Sequence, residues 1–234
     1  MGFYYFDYTY FLFMLPALIV TMIAQAKVKS AFSRYSRVRT ARNITGADAA
    51  QSVARYGGAE GITVQQISGS LTDNFDPRNR TISLSQDVYA STSVAAVGVA
   101  AHEAGHAIQD AHGYVPNKIR SALVPVTNFG SRLGIPIVFI GLILPTQYSV
   151  VVYCGIALYS LAVLFQLVTL PVEINASLRA VKALEATGTL YPEELEGAKK
   201  VLTAAAMTYL AASFATIMTL LRLLVIAGNR RGRD

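Results

Sequence analysis

The sequence predicts a mostly α-helical integral membrane protein, with about four transmembrane helices and a cytoplasmic α+β part that contains a small sheet. Three observations carry this. Apolar residues make up 53% of the 234 positions and charged residues only 15%, with a mean hydropathy of +0.41, a balance outside the range of soluble domains. The apolar residues gather in four runs, Tyr10–Ala26, Ile135–Leu144, Val150–Leu170 and Val201–Gly228; a bilayer span needs roughly 20 residues. Finally, Lys27, Lys29, Arg34, Arg37, Arg39 and Arg42 all follow the first run, where they act as a topology signal and an anchor to anionic lipid. That placement favours a lipid bilayer over a nucleic acid as the partner of the net +6 charge.

The elements follow in order. Residues 8–27 form transmembrane helix 1. No Lys or Arg precedes the apolar run, so it reads as a retained anchor rather than a cleaved signal. The basic cluster then places the N-terminus outside and residues 28–122 in the cytoplasm. Thr45 is an N-cap for a helix from about Ala47 to Tyr56, closed by Gly57-Gly58. Ile62–Ile67 and Thr81–Leu84 read as short strands, with Asp76-Pro77-Arg78-Asn79 as turn chemistry between them. Ser91 or Thr92 caps a long helix, rich in small residues and therefore closely packed. A hairpin of helices 2 and 3 occupies 126–171, with Pro145-Thr146-Gln147 as its turn. A cytoplasmic helix takes 172–200, and transmembrane helix 4 takes 201–228. This leaves NRRGR outside, against the positive-inside rule. The lone cysteine, Cys154, lies mid-span. It excludes an internal disulfide and a CxxC zinc knuckle.

The chemistry is concentrated in AHEAGHAIQDAHG, residues 101–113, which holds all three histidines of the chain. On a helix, His102 and His106 lie four apart on one face and aim two imidazoles at one ion. Glu103 sits about 100° around, close enough to serve a metal-bound water as general base without being a ligand. Zinc brings the pKa of such a water to about 7, and the carboxylate then passes the proton to a leaving amine. This is the logic of the H-E-x-x-H motif. The helix is apolar, and burying unpaired His and Glu in it is costly, so a zinc site explains them better than incidental placement.

A catalytic zinc takes three protein ligands and keeps one open position. Two residues compete for the third. His112 has the count of the metzincin pattern H-E-x-x-H-x-x-G-x-x-H, but Gln109 stands where that pattern needs glycine. A helix continuing to Ala111 or His112, with Gly113 as cap, turns His112 about 240° away from His106. Glu173, at the mouth of the third span, returns to the histidines if helices 2 and 3 form a hairpin. The physics favours Glu173 and leaves both open.

The segments LTDNFDPRNRTISLSQDVY, VAAHEAGHAIQDAHGY and LPVEINASLRA resemble, across nearly the whole chain, the YugP-type bacterial membrane zinc metallopeptidases, distant relatives of the HtpX-type and CAAX-processing membrane proteases. The resemblance implies that Glu173 is the third ligand, as in a gluzincin, and that Ala176 matches the relatives' alanine. Ser177 stands where those relatives carry an aspartate, and Asn74 where YugP-type sequences often carry histidine.

The reading is therefore a zincin-like cytoplasmic α+β catalytic domain in the bacterial inner membrane. It binds Zn2+ through His102, His106 and Glu173, uses Glu103 as general base, and acts on peptide or membrane-protein substrates. Thr81–Leu84 is expected to receive substrate as an added strand. Tyr89, His112, Tyr114 and Arg179 are candidates for stabilising the oxyanion. The alternatives are a non-catalytic membrane scaffold or chaperone with a structural zinc, and a zinc hydrolase of a non-peptide amide.

Overall fold

The computed structural model describes residues 8–231; the start of the aromatic cluster and the last residues of NRRGR lie outside them. A π-helical turn, Tyr10–Met14, leads into α1 (Leu15–Tyr35). Then come α2 (Gly46–Tyr56), β1 (Thr63–Ile67), β2 (Asn74–Asp76), β3 (Thr81–Ser85), α3 (Gln86–Tyr89) and α4 (Val94–Ala111). Three long helices complete the chain: α5 (Val115–Ile143), α6 (Ser149–Ala186) and α7 (Pro192–Arg231).

Among the described residues, four helical segments are long and apolar enough to cross a membrane: Tyr10–Tyr35, Val115–Ile143, Thr146–Ala186 and Pro192–Asn229. α5 is much longer than the apolar run Ile135–Leu144 suggests, and Pro125 and Pro136 lie inside it. α6 likewise runs through Pro171. Proline is tolerated in such helices where neighbouring groups satisfy the freed carbonyls.

The chain divides into two compact units. One gathers the N-terminal stretch to Ile23, Ile119–Leu170, and the chain from Tyr209 on. Here α5 and α6 pack through small residues. A Cβ on Gly134 would lie 3.0 Å from the carbonyl oxygen of Gly155, and one on Gly155 would lie 2.8 Å from that of Gly134. Close backbone approach of this kind is how helices associate where lipid removes the hydrophobic drive between them.

The other unit comprises Ala24–Lys118 and Pro171–Thr208. α2 begins at a capping box in which Thr45 accepts from Asp48 N–H and the Asp48 carboxylate accepts from Thr45 N–H. α4 is capped by Ser93, which accepts from Ala96 N–H, not by Ser91 or Thr92. Ser91 instead bonds the Ser93 hydroxyl. The sheet has three strands in the order β1-β3-β2, with β1 parallel and β2 antiparallel to β3. β2 is only three residues long and shows no period in the sequence. Its presence corrects the expectation for Thr81–Leu84: this strand is central and paired on both sides, so the sheet's open edges belong to β1 and β2.

The core of this unit is built on α4. Val94, Ala96, Val97, Ala100, Ala101, Ala104 and Ala107 are all buried, together with Ile82 and Leu84 from β3 and Ala180, Ala183 and Leu184 from α6. Alanine and glycine on so many faces let neighbouring helices come close. Gly105 lies directly against the backbone of Ala176 on α6, and a Cβ there would collide with the Ala176 carbonyl oxygen.

Candidate metal centre

α4 presents His102 and His106 on one face, with ring centroids 4.8 Å apart and planes at 81°. α6 brings Glu173 to them. Its Oε2 lies 3.1 Å from His102 Nε2 and 3.5 Å from His106 Nε2. Three residues on from Glu173 is Ala176, the backbone that packs against Gly105. The glycine of HEAGH therefore sets the helix separation at which a glutamate on α6 reaches the histidines of α4. Among the described residues, His102, His106 and Glu173 form the one group of possible metal-binding side chains, with ligand atoms all within 4.8 Å of one another.

The donor set fits zinc. Ligands at about 2.0 to 2.1 Å in a tetrahedron lie about 3.4 Å from each other, and the two carboxylate–imidazole separations straddle that value. Glu173 is 2% exposed. A carboxylate so buried calls for a compensating cation, and the two imidazole nitrogens facing it mark where one belongs.

The outer partners of His106 fix its tautomer. Gln109 is fully buried, and its Nε2 donates to the Val172 carbonyl at 2.7 Å and to Asn175 Oδ1 at 3.0 Å. A carbonyl only accepts, so the amide nitrogen must point there and Oε1 must point to His106 Nδ1, 3.1 Å away. His106 therefore carries its proton on Nδ1 and directs the Nε2 lone pair toward Glu173. Arg179, which only donates, confirms the Asn175 orientation by giving its Nε–H to Oδ1 at 2.8 Å. His102 Nδ1 lies 3.0 Å from Ser177 Oγ, a hydroxyl that can accept or donate there. Such partners orient metal ligands and tune their basicity.

Glu103 stands apart from the trio. It is half-buried and makes no hydrogen bond or ion pair among the described residues. Burial raises its pKa above the ordinary 4.5; the charges of His102 and His106 oppose the rise, and those of Glu173 and Asp73 add to it. Asp73, from the loop before β2, is itself held by the backbone N–H and hydroxyl of Ser85.

His112 is placed elsewhere. α4 ends in a Schellman motif: Tyr114 N–H bonds Gln109 O and Gly113 N–H bonds Asp110 O, with Gly113 at φ +62°. His112 is the residue at this end. Its Nδ1 accepts from Arg179 Nη1 at 2.8 Å, and Arg179 also lies over the Tyr114 ring. Of the four oxyanion candidates, His112, Tyr114 and Arg179 thus cluster together beyond the trio, while Tyr89 packs against the core. Gln109 is the functional residue that the sequence reading passed over as a missing glycine. Its signal was the three-residue spacing from His106, which puts both on one helix face.

A possible metal site shared by α4 and α6, in a chain with four described helices long and apolar enough to cross a membrane, fits a membrane metalloprotein. The chain belongs to the family described as "putative neutral zinc metallopeptidase", whose pattern matches residues 10–228. It is similar to "Putative membrane protease YugP" of Bacillus subtilis (strain 168), at 41% identity over 220 residues, covering 94% of this chain and 96% of that protein. No solved structure matches it. The family implies zinc as the metal.

Proposed function

We propose that the protein is a membrane-embedded, zinc-dependent endopeptidase of gluzincin type, with its catalytic part facing the cytoplasm from the bacterial inner membrane. The observation that carries this is the arrangement of the two glutamates. Glu173 is buried against both imidazoles, whereas Glu103 is adjacent, half-exposed and uncommitted. A structural zinc site has no use for the second carboxylate.

His102, His106 and Glu173 hold the ion, which would act as a Lewis acid toward the scissile carbonyl and an attacking water. Glu103, its basicity raised by burial against the opposing effect of the neighbouring imidazoles, takes a proton from that water and returns it to the leaving amine. Ser177 and Gln109 hold both imidazoles in place. The substrates are peptides or membrane proteins, and the printed name of the YugP relative, a membrane protease, supports this class. The basic cluster after residue 27 supports a cytoplasmic 28–122, the hairpin at 126–171, a cytoplasmic return at 172–200 and a last span at 201–228.

The test is purified protein in detergent, assayed for zinc content and for cleavage of an unstructured protein substrate. Glu103→Gln keeps about one zinc per chain and loses hydrolysis. Wild-type rates in Glu103→Gln would refute the assignment of the base.

A further inference from the structure

We propose that the cleft lined by the end of α2, the end of α4 and the facing turns of α6 is a binding site for an organic phosphate, a phosphate monoester carried on a small apolar or aromatic body. The cleft has a volume of about 570 Å³. None of His102, Glu103, His106 or Glu173 lines it, so its occupant is distinct from whatever the metal centre acts on. No carboxylate lines it either, whereas Arg179 and Lys182 both do.

The hydrogen bonds already made here determine what is left over. Arg179 only donates, so His112 Nδ1, 2.8 Å from its Nη1, is the acceptor. The neutral imidazole then carries its proton on Nε2. That nitrogen is turned toward Gly58 on the cleft wall, where it would sit 3.8 Å from an added Cβ. Asn175 Oδ1 is taken by two donors, Gln109 Nε2 and Arg179 Nε, which leaves Asn175 Nδ2 as a donor. Arg179 keeps the N–H groups of Nη2. Lys182, about one turn further on α6 and exposed, keeps its ammonium. Among the described residues, none of these four nitrogens makes a hydrogen bond or an ion pair.

The polar lining is therefore a set of donors whose own acceptors, His112 Nδ1 and Asn175 Oδ1, are both taken. It calls for a ligand rich in acceptors. A carboxylate presents two oxygens in one plane, and with Arg179 Nε and Nη1 engaged the side-on fork is not open to it. A phosphate monoester presents three acceptor oxygens in different directions and close to two negative charges. That suits single N–H bonds from separate side chains and two cations without counter-ions. The rest of the lining is apolar, with Ile108, Ala183 and the ring of Tyr56. Inorganic phosphate leaves this wall facing water, whereas an apolar or aromatic group on the phosphate covers it.

Full-length protein in neutral detergent is titrated by calorimetry with phenyl phosphate, benzoate and phenol at fixed ionic strength, zinc-loaded and after chelation. Circular dichroism checks that each sample is folded. Phenyl phosphate binds one site per chain with or without zinc, on the order of tenfold more tightly than benzoate, and phenol does not bind. Arg179→Gln weakens it on the order of tenfold. Lys182→Gln, whose side chain has no partner to lose, and His112→Ala each weaken it several-fold. Absent binding of phenyl phosphate, equal binding of benzoate, or affinity unchanged in all three variants overturns the proposal. So does binding that disappears with zinc from folded protein, which places the phosphate on the metal. Phosphatidic acid in nanodiscs, against phosphatidylcholine as control, is then competed with phenyl phosphate. Displacement by phosphatidic acid alone makes the ligand a lipid phosphate, and no displacement makes it a soluble one.

Discussion

Gly105→Ala tests whether the metal centre depends on the approach of two helices. The new methyl would lie 2.9 Å from the carbonyl carbon of Ala176 and 3.2 Å from its Cα, and closer still to the oxygen. All three are backbone atoms, so no side chain can rotate away. Restoring ordinary contact moves α6 from α4 by roughly 0.5 to 1 Å, at a cost of about 1 to 3 kcal/mol for overpacking. The helix-propensity gain of Gly→Ala, about 1 kcal/mol, offsets only part of this. Glu173 is less than one turn from the collision, and zinc ligands tolerate about 0.2 Å of displacement. Zinc affinity therefore falls, and the hydrolysis rate drops on the order of 100-fold. Gly98→Ala is the matched control. There the methyl meets Ala198 Cβ at 3.5 Å, an ordinary contact, so propensity wins and stability is unchanged or rises by up to about 1 kcal/mol. Zinc retention against graded chelator, thermal unfolding in detergent and initial rates are measured on both. Gly105→Ala with wild-type zinc affinity and rate would refute the argument.

Three further outcomes are expected. Alanine at His102, His106 or Glu173 sharply lowers zinc occupancy, whereas His112→Ala keeps it. Metal analysis showing loss in His112→Ala but not in Glu173→Ala reverses the choice of third ligand. Gln109→Leu leaves the buried His106 Nδ1–H without its acceptor, at about 1 to 3 kcal/mol, while the Val172 carbonyl stays within the α6 ladder. Zinc affinity then falls about 10- to 100-fold, and unchanged affinity counts against an orienting role. Ser70 is exposed, so Ser70→Cys in a Cys154→Ala background reports topology. It resists a membrane-impermeant thiol reagent in intact cells and reacts after lysis, and rapid labelling before lysis inverts the proposed orientation.

Local signals were legible and long-range ones only in outline. The α2 cap at Thr45, the end of α4 at Gly113 and the strands β1 and β3 all rest on chemistry within a few residues. β2 was not legible. Three residues show no alternation, and Asn74–Asp76 are recruited by pairing to Ser83–Thr81 rather than by their own propensity. That missed strand is why β3 passed for an available edge. The continuity of α6 through Pro171 was hidden for a different reason: proline reads as a boundary in water, but helix packing and an apolar setting remove that meaning.

The metal centre divides along the same line. His102 and His106 are four apart on one helix, so their convergence is a property of helical period alone. Glu173 is 71 residues from His102, and sequence could supply only the argument that a hairpin returns the chain to its starting depth. Gln109 shows where pattern matching stops short. Compared with the metzincin motif it is an absence, the lack of a glycine that would bend the chain. In the structure one side chain has two consequences. Without a glycine at 109 the helix continues to Ala111, and the Schellman turn beyond it leaves His112 bonded to Arg179, outside the His102–His106–Glu173 group. The same amide, locked by Val172 and Asn175, dictates the tautomer of His106. The residue that lets the helix carry His112 away also orients His106, and the third member of the candidate site comes from α6, at the point where Gly105 lets that helix approach.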